Sequence, residues 1–80
     1  MKEFEVSLAA ARVDKGMRTS MAARRLGKTQ GWLTLIENGR RELYASDLFK
    51  LCDLYEIPVE NILLPKKNTK KLHKKMGVFN

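Results

Sequence analysis

Apolar positions along this 80-residue chain recur at helical spacing, and the breaks between them fall at glycines, prolines and short polar runs. Val6, Ala9, Ala10 and Val13 share one stripe, with Leu8, Ala11 and Arg12 beside it; this predicts a helix over about 5–15, stopped by Gly16. A shorter second helix over about 20–26 opens on Thr19 or Ser20 as cap and closes at Gly27. The third covers about 30–37, with Thr29 as N-cap, Asn38-Gly39 as its stop, and Leu33 and Ile36 facing inward. On the fourth, over about 45–55, Leu48, Leu51, Cys52 and Tyr55 form an i, i+3, i+4, i+7 stripe, and Asp47 sits in the first turn, where the helix dipole favours an acid. A fifth helix of a turn or two over 59–64 starts after Pro58 and ends at Pro65. No stretch reads convincingly as a strand. The expected architecture is all-α: a five-helix domain over 1–64 and a lysine-rich C-terminal tail over 65–80.

Size and composition narrow the function. Eighty residues, 44% hydrophobic and 31% charged, fit one small globular domain. No apolar run approaches ~18 residues, so no membrane span is expected. Glu3, Glu5 and Ser7 interrupt any signal-peptide core, which points to the cytoplasm. Cys52 is the only cysteine and His73 the only histidine, so neither an internal disulfide nor a multi-cysteine metal cage can form. No cofactor is expected. An enzyme is improbable as well, since the chain shows no nucleophile–base spacing, no phosphate-cradling glycine loop and no carboxylate pair in an apolar setting.

Charge adds a direction. The net +7 divides into +1 over residues 1–64, from ten Lys/Arg and nine Asp/Glu, and +6 over 65–80, from six lysines and no acid. From Arg18 to Arg41 six bases face one acid, Glu37, whereas Glu42 to Leu64 holds five acids and only Lys50. One segment is therefore cationic, as a polyanion partner requires. The tail reads either as a solvated lysine block or, because Leu72, Met76 and Phe79 share helical spacing, as a helix induced by a partner.

The second and third helices, joined by a tight turn at Gly27–Thr29, have the form of a helix-turn-helix unit. Ala23 permits close approach, and Gly27 supplies a left-handed turn residue. At this point the chain resembles the Cro/CI-type (XRE) helix-turn-helix family. The resemblance runs from Leu8 to about Leu63 without a gap. It is carried by Leu8 and Arg12, by "KGM" at 15–17, "AxxLG" at 23–27, "IENG" at 36–39 and "LCDLYEIPVENIL" at 51–63. The opening "SLAAARVDKG" looks most like small Cro-like and repressor proteins of phages of Gram-positive hosts. The resemblance implies a five-helix, lambda-repressor-like fold, operator DNA as partner, a homodimer, and the third helix as the recognition helix.

A helix entering the major groove presents its N-terminal residues to base edges, here Lys28, Thr29, Gln30 and Gly31. Glutamine can bond adenine bidentately and threonine can touch a thymine methyl, which makes Gln30 the best candidate reader. Thr34, Leu35 and Asn38 fall on the same side, away from Leu33 and Ile36. Arg18, Thr19, Asn38, Arg40 and Arg41 are the candidate phosphate contacts, Asn38 by resemblance. The resemblance also implies an ion pair between Arg12 and Glu37. Thr19 departs from the family by standing where a phosphate-clamping glutamine is common. Gly31 and Leu35 depart by standing where side chains usually read bases, so direct readout looks sparse and DNA shape gains weight. Trp32 either packs partly in the core or contacts the sugar-phosphate backbone. Met17 and Met21 read as packing. The rival function is a protein-interaction module of the same fold, an antitoxin or a partner of another repressor protein, which Gly31 and Leu35 on the reading face would suit.

Overall fold

A computed structural model describes residues 4–64. They form four α-helices, α1 (Leu8–Asp14), α2 (Thr19–Arg25), α3 (Gln30–Glu37) and α4 (Ala45–Tyr55), followed by a 3-10 turn at Val59–Asn61. The expected tail over 65–80, with its stripe of Leu72, Met76 and Phe79, lies outside the described residues.

Helix α1 starts at Leu8, three residues later than the periodicity predicts. Ser7 is its N-cap, accepting the Ala10 N–H at 3.0 Å. Val6 is thereby left extended, and it makes a parallel bridge to Ile62. The Val6 N–H donates to the Asn61 carbonyl (2.9 Å), and the Leu63 N–H donates to the Val6 carbonyl (2.8 Å). The same bridge explains why the fifth helix shrinks to one turn: Ile62 must be extended to pair with Val6 and to bury its side chain. Buried Asn61 fastens the junction by donating from Nδ2 to the Phe4 carbonyl at 2.7 Å. With α1 shortened, Leu8 and Ala11 form its buried stripe, and Val13 is exposed.

The core is closed by Leu8, Leu33, Ile36, Leu43 and Leu51, all fully buried, together with Ala22, Ala23, Leu48, Cys52 and Tyr55. Burying one such leucine or isoleucine stabilises by about 1.5–3 kcal/mol. Ala22 and Ala23 have no exposed surface, and their small size lets α2 lie close against α3. Met17 and Trp32 pack against this core, whereas Met21 lies on the outer face of α2 and is exposed, contrary to the packing role expected of it. Burial pushes the Cys52 thiol's pKa up, as suits a small core residue.

Candidate nucleic-acid interface

The α2–α3 pair turns on Gly27. Its φ of 73° is a left-handed conformation that glycine adopts without a Cβ clash. The Gly27 N–H then reaches the Arg24 carbonyl (3.0 Å) and the Lys28 N–H reaches Ala23 (2.9 Å), which satisfies the last carbonyls of α2. Two residues later Thr29 caps α3, its hydroxyl accepting the Trp32 N–H at 3.0 Å. Helix α2 opens differently from expectation. Its N-cap is Arg18, without a side-chain cap bond, and Thr19 and Ser20 are inside the helix. Helix α3 ends as its sequence predicts, with the Gly39 and Arg40 amides bonded back to Ile36 and Leu35 at 3.1 and 2.9 Å.

This frame fixes which face of α3 is free. Leu33 and Ile36 are fully buried, whereas Gln30, Gly31, Thr34, Leu35 and Asn38 are exposed. A Cβ built on Gly31 would meet nothing within 4 Å, so the surface there is open. Beside it lies an open groove of about 490 Å³, walled by Gly27, Lys28 and Thr29 of the turn, by Gly31, Trp32 and Leu35 of α3, and by Arg41. Gln30, Thr34 and Asn38 share the exposed face but are not among the groove walls. Arg18, Arg40 and Arg41 are exposed, of which Arg41 alone walls the groove, and Thr19 is half-buried. Trp32 is half-buried against the core and also lines the groove.

Arg12 and Glu37 are joined. Arg12 Nε donates to Glu37 Oε2 at 2.8 Å, and a second guanidinium nitrogen donates to Oε1 at 3.3 Å. A third donor reaches the Met17 carbonyl at 2.9 Å, tying the loop before α2 to the same centre. The side chains are only 13% and 10% exposed. The Glu37 hydrogen bonds raise the Arg12 pKa above its usual value even though burial opposes the charge. The C-terminal end of α3 is thus clamped to α1, and the one acid of the basic segment is neutralised.

Three features were not legible in the sequence. The Met17 carbonyl is one; a backbone acceptor carries no side-chain signal. A second is the Tyr55 hydroxyl, buried with no hydrogen-bond partner among the described residues. Burial first, and the Glu37 charge second, push its pKa up to about 12. The third is Asp47, legible only as an acid in the first turn of α4. Its Oδ2 lies 4.0 Å from Lys28 Nζ, across nineteen positions of sequence, and no local pattern signals that contact.

A helix-turn-helix domain family model matches residues 6–63, which is most of the chain. The chain belongs to the helix-turn-helix domain family. The family match covers the α1–α4 frame and the Val6–Ile62 bridge. No curated protein and no solved structure matches the chain. No helix among the described residues is long and apolar enough to cross a membrane. Membership of a helix-turn-helix family supports DNA as the partner.

Proposed function

We propose that this helix-turn-helix chain is a sequence-specific double-stranded DNA-binding regulator of the Cro/CI type, a phage-type repressor that binds its operator as a homodimer. The observation that carries the reading is the division of α3, with Leu33 and Ile36 buried and Gln30, Gly31, Thr34 and Leu35 exposed amid an otherwise basic segment. Gln30 bonds an adenine edge. Thr29, Thr34 and Leu35 offer methyl groups to thymine, and Gly31 lets the backbone approach the bases. Arg18, Thr19, Asn38, Arg40 and Arg41 hold phosphates, and Lys28 stands at the mouth of the turn.

Selection from a random duplex library tests this directly, with enrichment of a two-fold-related sequence as the expected result. On the enriched site Gln30→Ala should cost roughly 1–3 kcal/mol and almost nothing on random DNA, whereas Arg40→Ala and Arg41→Ala should weaken both. Sedimentation equilibrium tests the homodimer. The rival protein-interaction module is favoured by one feature, the apolar side chains of Trp32 and Leu35 among the groove walls. A library that enriches no sequence would decide for it.

A further inference from the structure

Lys28 heads the reading helix, but its charge is engaged. The ammonium lies 4.0 Å from Asp47 Oδ2 and 5.1 Å from the centroid of the Trp32 ring. The carboxylate comes from α4, where the Asp47 N–H is bonded to the Tyr44 carbonyl at 3.0 Å. Its side chain is 12% exposed and that of Lys28 36%, so the anion is fixed and the cation is the movable partner. An acid at the first turn of a helix is stabilised where it stands by the helix dipole. The indole face provides a second attraction for the same ammonium. Two separate groups, from two helices, thus hold one lysine at the mouth of the groove.

We propose that Asp47 is a specificity-determining positioning residue: it holds Lys28 on Trp32 and so withholds a sequence-blind cation from phosphate. The proposal rests on the DNA-binding reading above. A free lysine here would find a phosphate on any duplex, adding affinity without information. That addition matters on this surface, where the exposed Gly31 and Leu35 offer a base no polar side-chain group. Moving Lys28 to phosphate would strand the Asp47 carboxylate, a mostly buried charge, without its partner. In the register-locked complex the first turn of α3 faces base edges. On random DNA the protein rides the backbone, where a released lysine has phosphates in reach. Losing Asp47 should therefore favour random DNA.

The test is a double-mutant cycle of Asp47→Asn and Lys28→Met in the full chain, using a random-sequence duplex titrated with salt. Asp47→Asn should tighten random-duplex binding about two- to fivefold, the range set by a partly exposed ion pair. It should also steepen the log-affinity against log-salt slope by about 0.9, one added phosphate contact. In the Lys28→Met background the same substitution should change the slope much less, and Lys28→Met alone should leave the slope nearly unchanged. Trp32 is the only tryptophan, so its emission reads the cluster without DNA. Either substitution should alter the emission, and the second should add nothing to the first. Additive slopes and additive emission changes would overturn the proposal, as would a slope flattened by about 0.9 in Lys28→Met alone, which would place Lys28 on phosphate already. Should no duplex bind at all, the DNA-binding reading fails, and non-additive emission still establishes Asp47 as the residue that positions Lys28.

Discussion

Replacing Arg12 by methionine should damage the domain more than replacing Arg12 and Glu37 together. The wild-type guanidinium fills three acceptors, both Glu37 oxygens and the Met17 carbonyl, in a site only about one-tenth exposed. Methionine keeps most of the volume but removes every donor. Glu37 is then a carboxylate with little access to water, a situation that costs about 3–5 kcal/mol in comparable buried pairs. Residual exposure and some rearrangement of Glu37 toward solvent lower the expectation to roughly 3 kcal/mol. For a domain this small, that is a fall in Tm of roughly 12–24 °C. Adding Glu37→Gln removes the stranded charge, and the double variant should recover about 2 kcal/mol of the loss. Urea unfolding of the four proteins of the cycle, at low temperature so that Arg12→Met stays folded, gives the coupling energy. Costs that add within about 0.5 kcal/mol would show that the pair, despite its geometry, contributes nothing as a pair.

Further outcomes follow from the structure and, for the C-terminal segment, from the sequence. Tyr55→Phe removes a buried hydroxyl with no partner, so at neutral pH it should leave stability unchanged or raise it by about 1 kcal/mol; a loss larger than that would mean the hydroxyl is hydrogen-bonded. Because the folded-state pKa of Tyr55 is raised from 10.0 to about 12, the wild type should lose stability as pH rises from 10 to 12, by roughly 2–3 kcal/mol, and Tyr55→Phe should be spared that loss in denaturant titrations across the same pH range. Gly31→Ala places a methyl in open space and should stabilise α3 by about 0.5–1 kcal/mol in thermal unfolding, yet weaken operator binding if the backbone there approaches bases; higher stability with unaltered affinity would remove Gly31 from the interface. Deleting residues 66–80 removes six lysines and should flatten the salt slope by roughly two to four with Tm nearly unchanged; a lower Tm with the slope intact would make the segment part of the fold.

The parts legible in the sequence were those written in local chemistry. Helices α3 and α4 fall where their stripes and caps place them, because Thr29, Gly39 and the Leu48–Tyr55 spacing each act within a turn of where they stand. The ends of α1 and of the last segment were misplaced for one shared reason. Val6 and Ile62 pair with each other across the chain, and that tertiary bond overrides helical periodicity at both positions. Ser7 is of a residue type that caps helices, and it marks the observed start of α1. The exposed face of α3 could be read because burial of Leu33 and Ile36 dictates it. The partner of Lys28 could not, since Asp47 reaches it only after α4 has folded against the helix pair.

That difference bears on how this surface could recognise a duplex. An eight-residue helix has little stability of its own in water, so α3 takes its existence and orientation from what it is fastened to. The fastenings are Thr29 at one end, Leu33 and Ile36 beneath, and the Glu37–Arg12 pair at the other end. Apart from Thr29, which caps α3 and is itself exposed at the groove, none of these groups is on the exposed face, and none of the exposed residues Gln30, Gly31, Thr34 and Leu35 helps to close the core. Within this short helix the residues that hold it in place and the residues proposed to read DNA are therefore different ones. Substitutions beneath α3 should weaken every duplex alike by loosening the helix, whereas substitutions on the open face can alter which sequence is preferred and leave the domain intact. Lys28 also crosses that division: it stands beside the open face but is fastened to α4 through Asp47, so its removal and its release should have different effects.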